Sequence, residues 1–322
     1  REPLASRLVA LAERLKAEGV KISYDPNFRV AMTEAYDPVL SRMAEIADLI
    51  QEATTALHRA KELGRNRWSF ADPERGIESA RRLALEAEIR AGLETGEFVP
   101  WFQPIVLLAD DSLAGYEALA RWQTNGQIRE PAEFLDVLVH SQWVSDLDHA
   151  IVEPSVATLA QQSDHLFVSI NVTGVTLTNT DYAAHVRECL DTYGVDPRRL
   201  HIEVTETMLL NLDEPVLDQM GDLASLGVRW YVDDFGTGYS AISHLRDMPV
   251  SGLKLDRSFT EGIRSGDATA RQLANGLVGL ANGLALDTVA EGIETRAEAD
   301  YLRTLGWRHG QGWLFGKAAP LS

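Results

Sequence analysis

The chain has a single cysteine, Cys189, among 322 residues. An intrachain disulfide is thereby excluded, as is a thiolate cluster able to hold zinc, and a reducing cytoplasm is the expected setting. No apolar run approaches the ~20 residues that cross a bilayer, and residues 1–20 lack the order of a signal peptide. Membrane contact within this chain is therefore not expected. Positive charge is also scarce: 30 Lys and Arg stand against 48 Asp and Glu, for a formal net charge of −18. Binding to a nucleic-acid polymer needs clustered cations that displace condensed counterions, so that partner class is disfavoured. A small anionic substrate stays open if metal ions neutralise its site. Absent too are HExxH spacing among the eight histidines, GxxxxGK[ST] and GxGxxG, which removes the usual zinc-protease and phosphate-loop readings.

With 45% hydrophobic residues, the chain can bury a sizeable core and divides into one large domain and a smaller piece. Charge, Pro73 and Gly76 in RNRWSFADPERGIES mark a break near residue 75. Upstream, PLASRLVALAERLKAEG places Leu4, Leu8, Leu11 and Leu15 on one helical face and stops at Gly19. A helix over IESARRLALEAEIRAG follows the break. The expected organisation is a segment over 1–75, a linker helix over 76–96 and a main domain over 97–322. In the main domain, apolar runs alternate with amphipathic stretches. Strands are predicted at FVPWFQPIV, SLAGYEAL, HLFVSIN, LHIEV, VRWYVDD, SGLKLD, LDTVAEG and HGQGWLF. Helices lie between them, and three of these close on Gly194, Gly227 and Gly306. Eight strands over roughly 225 residues suit a (β/α)8 barrel, an α/β fold of usual size about 250, with a doubly wound open sheet as the alternative.

What the chain has in quantity is polar residues at the carboxyl ends of those strands: Glu117, Asn171, Glu203, Glu206, Asp233, Asp234 and Glu291. A barrel brings such positions together, and crowded carboxylates repel unless cations or shared protons offset them. Taken singly, each acid reads as a helix cap or a surface ion pair. Taken jointly, they point to a divalent-metal site. Adjacent acids on a strand cannot both face the interior, but Asp233 and Asp234 can splay to grip two cations. Oxygen ligands with an asparagine amide suit Mg2+ or Mn2+, whereas Ca2+ fits the same oxygens without supporting the chemistry. His201 reads as packed or partner-bonded rather than as a ligand. Lys254, in SGLKLD, either offsets carboxylate repulsion or places its ammonium beside an attacking water or developing phosphate charge. Arg121 either clamps a phosphate or pairs internally with an acid.

Residues 97–320 resemble the EAL-domain cyclic di-GMP phosphodiesterases. The resemblance rests on Gln103-Pro104 in WFQPIV, Glu117-Ala118-Leu119 with Arg121, Asn171 in SINVTG, Glu203 and Glu206 in EVTET and DDFGTGYS at 233–240. It continues with Lys254 in LKLD, Glu291 and Glu294 in EGIE, and Gln311-Gly312 in QGWLFGK. Departures are mild: Gly174 after NVT, Leu255 where Ile is commoner, and Trp313 where Tyr is commoner. The resemblance implies a modified TIM-like barrel whose first strand runs antiparallel to the next. It implies that Glu117, Asn171, Glu203 and Asp233 bind one cation, while Asp233 and Asp234 engage a second. Lys254 and Glu291 orient and activate water, and Glu206 holds the DFGTGYS loop. Gln103, Leu119, Arg121, Glu294 and Gln311 then fall on the substrate side or directly behind the ligands. The implied reaction is in-line attack of metal-activated water on one phosphodiester, giving linear pGpG, with homodimerisation through the barrel.

ATTALHRAKELGRNRWSF at 53–70 resembles, more weakly, the second half of a GGDEF domain, with FRVAMTEA as a substituted strand. No GGDEF-type signature occurs in the chain, so a cyclase centre is expected only upstream of Arg1. Two other functions stay open at this point. A noncatalytic cyclic di-GMP receptor would lack metal-dependent cleavage. A glycosidase could use two strand-end carboxylates without metal, leaving Asn171 and Lys254 unexplained.

Overall fold

The computed structural model describes residues 73–139, 141, 143–178, 182–209, 214–236, 245 and 248–321. The readings placed on residues 1–72, including the GGDEF-like segment, lie outside the described residues. The chain divides into two units, Arg1–Ala87 and Glu88–Ser322, and the architecture below is that of the second. Helix α1 spans Pro73–Glu94.

Strands β1 (Phe98–Leu107), β2 (Leu113–Thr124), β4 (Phe167–Asn171), β5 (Leu200–Thr205), β6 (Arg229–Phe235), β7 (Val250–Leu255), β8 (Asp287–Ala290) and β9 (His309–Gln311) form one ring. The order β1-β9-β8-β7-β6-β5-β4-β2 closes through the β1–β2 pairing. A closed ring rejects the open doubly wound sheet. Pairs from β2 through β4 to β9 are parallel, whereas β1 is antiparallel to both of its neighbours. Strand β3 (Gln127–Arg129) lies outside the ring, folded back on β2. Its two-residue turn is Asn125-Gly126, with φ of 51° and 72°, the left-handed pair that an Asn-Gly hairpin adopts. That dipeptide was the signal for the one strand the periodicity did not predict.

Helices α2 (Pro131–Leu138), α3 (Val144–Ala160), α4 (Gly174–Leu177), α5 (Tyr182–Tyr193), α6 (Glu206–Leu209), α7 (Glu214–Leu226), α8 (Arg257–Ser265), α9 (Ala268–Gly283) and α10 (Arg296–Leu305) fill the crossovers. Side chains set several starts: Asp256 accepts from the Ser258 N–H and Asp267 from the Thr269 N–H, while Thr295 and Glu298 form a capping box. Gly194, Gly227 and Gly306 all have positive φ, as the predicted helix ends require. On the outer face, Leu255 and Ala290 pack with Phe259, Ala274, Val278 and Leu302 from the surrounding helices.

Residues two apart on a strand share a face, and this places two polar layers inside the barrel. Between them lies an apolar septum of Ile105, Tyr231 and Val289, with Phe167 packed against it. Two glycines make room for the aromatic rings. A Cβ at Gly252 would stand 2.3 Å from the Tyr231 ring, and one at Gly115 would stand 2.6 Å from the Phe167 ring. Toward the carboxyl ends of the strands lie Glu117, Glu203, Asp233 and Lys254. Toward the amino ends lie His201, Arg229, Asp287 and His309.

Candidate active site

Strand β7 carries Lys254 into the carboxyl-end layer, where the residue has 0% exposure. A buried ammonium must be paired, and four strand ends meet that need. Lys254 Nζ lies 2.5 Å from Glu291 Oε1, 2.6 Å from Glu203 Oε2, 3.2 Å from Glu117 Oε2 and 3.6 Å from Asp233 Oδ1. Neighbouring amides fix Glu117: Asn171 Nδ2 donates to Oε1 at 2.8 Å and Gln311 Nε2 to Oε2 at 2.7 Å. Gln311 also donates to Gln103 Oε1 at 3.1 Å, and Gln103 donates to the Gly316 carbonyl at 3.2 Å. Of the strand-end row predicted from the sequence, Glu117, Asn171, Glu203, Asp233 and Glu291 therefore converge, and Gln311 ties Glu117 to Gln103.

The shared lysine divides the acids. Burial disfavours the charged form of Glu117, but Lys254 and the two amide donors outweigh it and hold the carboxyl below its ordinary range. Burial raises Glu203 well above that range, and Glu117 and Asp233 add to the rise against the pull of Lys254. For Glu291, burial with Asp233 and Glu117 prevails over Lys254 and lifts the carboxyl to about 8. Burial alone would discharge Lys254, yet Asp233, Glu117, Glu203 and Glu291 together raise it well above the usual lysine value. Lys254 thus stays an ammonium while some of its partners hold protons.

Asp234 departs from the strand: its φ is 54°, and its exposed side chain is within reach of Asp256. Burial, then Asp233 and Asp256, raise it to about 6 against the influence of Lys254. The left-handed turn is the means by which adjacent acids serve two directions. Glu206, 3% exposed at the start of α6, accepts from the Gly236 N–H at 2.9 Å. It therefore grips the first residues of the FGTGYS segment; residues 237–244 lie outside the described residues.

A cleft of about 340 Å3 opens over this layer, lined by Gln103, Glu117, Leu119, Asp233, Glu291 and Glu294 among others. Glu294 also accepts from Arg264 Nη1 at 2.7 Å, and Arg264 donates to the Gly292 carbonyl at 3.2 Å. Arg121 is not part of the lining: its Nη1 donates to the Ala120 carbonyl at 2.9 Å and its Nη2 lies 3.5 Å from Glu130. Its Nε is buried with no hydrogen-bond partner among the described residues. Sequence reasoning missed Arg257 and Glu261, which line the cleft and pair with each other at 2.6 Å. Their signal was the helix start directly after the Lys254 strand. Trp313, noted earlier only as a departure, is 61% exposed at the cleft with Lys317 Nζ 4.5 Å from its ring centroid. Gly312 makes this bend possible, since a Cβ there would meet the Ile293 carbonyl oxygen at 2.1 Å.

Among the described residues, no three acids or histidines stand arranged around a single ion, because Lys254 occupies the centre of the group. The donor chemistry nevertheless fits a hard cation. Every candidate ligand offers oxygen, and Glu203 Oε1 and Asp233 Oδ1 are buried without a hydrogen-bond partner among the described residues.

Residues 86–318 match the EAL domain family. An uncharacterized signaling protein of Caulobacter vibrioides is 33% identical over 321 residues, covering 99% of this chain and 39% of its own length. The cyclic di-GMP phosphodiesterase NbdA of Pseudomonas aeruginosa is 32% identical over 283 residues, covering 85% of this chain and 36% of its own. The chain thus spans about two fifths of these relatives. Among solved structures, the PaMucR phosphodiesterase in complex with c-di-GMP superposes with a TM-score of 0.69 at 28% identity, covering 74% of this chain and 98% of that one. No helix among the described residues is long and apolar enough to cross a membrane.

Proposed function

The chain belongs to the EAL domain family, and on that premise we propose that its carboxyl-end centre hydrolyses cyclic di-GMP to linear pGpG. The observation that carries this reading is the convergence of Glu117, Glu203, Asp233 and Glu291 on one buried lysine beneath an open cleft. A relative at 32% identity is named a cyclic di-GMP phosphodiesterase, and a solved structure at 28% identity is a phosphodiesterase in complex with c-di-GMP.

Metal dependence is general to EAL phosphodiesterases. Glu117, Asn171, Glu203 and Asp233 would hold one Mg2+ or Mn2+, with Asp233 and Asp234 engaging a second. When bound, such ions make water acidic and neutralise charge on the phosphate. The remaining steps belong to the protein. Lys254 remains protonated, so it acts as a fixed positive charge and not as a base. Glu291, which lines the cleft and is held 2.5 Å from the Lys254 ammonium, takes the proton from the attacking water as a carboxylate. That water forms one bond to phosphorus as the P–O bond to the leaving ribose oxygen breaks. Gln311 and Asn171 keep Glu117 in register, and Glu206 keeps the following loop in place. Leu119, Gln103, Glu294 and the exposed face of Trp313 offer contacts for the guanines, and Arg121 stands behind them.

A homodimer through the barrel, a GGDEF-like segment over 1–75, a linker over 76–96 and a cytoplasmic setting belong to the same proposal. They rest on the sequence resemblance and the lone cysteine. Incubation of the purified protein with cyclic di-GMP and Mg2+ or Mn2+, followed by product chromatography, tests the reaction. Linear pGpG is expected, and Glu117→Ala should slow its formation by more than about 10²-fold. Saturable binding without cleavage in either metal would replace the hydrolase with a receptor.

A further inference from the structure

The amino-terminal mouth of the barrel holds a second cavity, of about 560 Å3, larger than the cleft at the other end. In a chain with a net charge of −18, its lining is unexpectedly basic: four arginines against three aspartates, with three histidines. Two of those arginines are committed. Arg198 is chelated by Asp196, with Nη2 2.5 Å from Oδ2. Arg199 donates to the carbonyls of Leu159, Gln162 and Ser163 at the end of α3 and lies 3.5 Å from Asp164.

Arg229 and Arg308 are left, with Asp287 as the remaining aspartate of the lining. Asp287 Oδ1 accepts from the Thr288 N–H at 2.9 Å, and Oδ2 accepts from the Tyr231 hydroxyl at 3.1 Å. His309 Nδ1 lies 3.3 Å from Oδ1 and Arg308 Nη1 lies 3.7 Å from it. Arg229 stands close enough to the same Tyr231 hydroxyl to act on it electrostatically and makes no ion pair among the described residues. The remaining lining therefore sets one carboxylate against two guanidinium groups, and Arg308 and His309 are the cations paired with that carboxylate. The buried His201, stacked 4.0 Å from the Phe167 ring and 4.7 Å from the Tyr231 ring, adds an Nδ1 with no hydrogen-bond partner among the described residues. Had these groups only plugged the barrel, the mouth would be filled and its charges paired.

We propose that this mouth binds a phosphate-class oxyanion, held by the forked donors of Arg229 and Arg308 over the Asp287–Tyr231–His309 floor. A guanidinium fork matches a tetrahedral oxyanion, and the cavity volume falls within the range of small-molecule sites. Inorganic phosphates and the phosphate of a nucleotide share this chemistry. The site lies across the septum from the carboxylate centre and does not depend on the reaction assigned there.

The test is isothermal titration of the full chain, kept metal-free with chelator, with pyrophosphate and separately with 5′-GMP at constant ionic strength. Ring NMR signals of His201 and His309 report the location. Saturable binding is expected, with both histidine signals shifting. Arg229→Gln and Arg308→Gln should each weaken it roughly tenfold, the loss of one charge-assisted contact. Tighter binding of 5′-GMP than of pyrophosphate would identify a nucleotide source, and the reverse an inorganic one. Absence of saturable binding, or undiminished binding by the double variant with an intact circular dichroism melt, would overturn the site.

Discussion

The two mouths of this barrel are built on the same strands, two or four residues apart, and carry opposite electrostatics. At the carboxyl end, four carboxylates share Lys254, so burial and mutual repulsion push Glu203 and Glu291 toward protonation. At the amino end, Asp287 pairs with Arg308 and His309, and burial with Arg229 and His309 drives His201 down to about 3. Ile105, Tyr231 and Val289 keep the layers apart. The lesson is that a strand's alternation decides which residues face the interior, while the end of the strand decides their task. Loops and crossovers at the carboxyl end create a site for chemistry. The amino end keeps a packed aromatic–histidine stack beneath an open basic rim.

Removing the lysine should break the comparison most severely. Lys254→Met leaves its carboxylates without their cation, and loss of one partner of a buried ion group costs about 3–5 kcal/mol. Chemical denaturation should show a loss of that order together with absence of pGpG formation; an unchanged midpoint would remove Lys254 from the centre of the account.

Stability against pH should then separate the two ends, measured by thermal melting in chelator. His201 is held at about 3 instead of its ordinary 6.5, so between those values the unfolded chain binds a proton that the folded chain refuses. Stability is complete above 6.5 and falls as pH drops through 3. Glu291 runs the other way: its folded carboxyl titrates at about 8 instead of 4.5. Stability is complete below 4.5 and is lost as pH rises through 8. Each contribution has a limiting slope of about 1.4 kcal/mol per pH unit. His201→Gln should flatten the acid limb and Glu291→Gln the alkaline limb; both acting on one limb would merge the layers.

Smaller effects probe the septum and the loop. Gly252→Ala drives a methyl into the Tyr231 ring, and such overpacking costs about 1–3 kcal/mol, read as a lower denaturation midpoint. No change would mean that Tyr231 yields freely. Glu206→Ala removes the acceptor for the Gly236 N–H, worth about 1.5–3 kcal/mol for a charged hydrogen bond. The loss should appear in turnover more than in the melting temperature. A melting shift with full turnover would make Glu206 structural only.

Much of the carboxyl-end layer was legible because its logic is local. Apolar runs ending in Glu117, Asn171, Glu203, Asp233 and Glu291 mark strands and place the polar residue at a known end. The antiparallel course of β1 was not in the periodicity, since an alternating strand reads alike in both directions; it entered through the family resemblance. Arg121 shows the limit on single residues: its sequence allowed a phosphate clamp or an internal pair, and the structure places it against Ala120 and Glu130. The amino-end layer stayed hidden for a related reason. Arg229, Asp287 and His309 each open a strand, where one polar residue resembles ordinary turn chemistry, and only closure of the ring brings them together. His201 was read as packed, and the stack with Phe167 and Tyr231 agrees.

The division of labour between the two mouths is tested most directly by the rate of cyclic di-GMP cleavage, with Mn2+ present, in Glu117→Ala and His201→Phe beside the unaltered chain. Glu117→Ala should lose more than about 10²-fold in turnover, while His201→Phe, with an aromatic ring still in the stack, should retain turnover within a few-fold. Cleavage that persists in Glu117→Ala, or that disappears equally in a folded His201→Phe, would contradict the account.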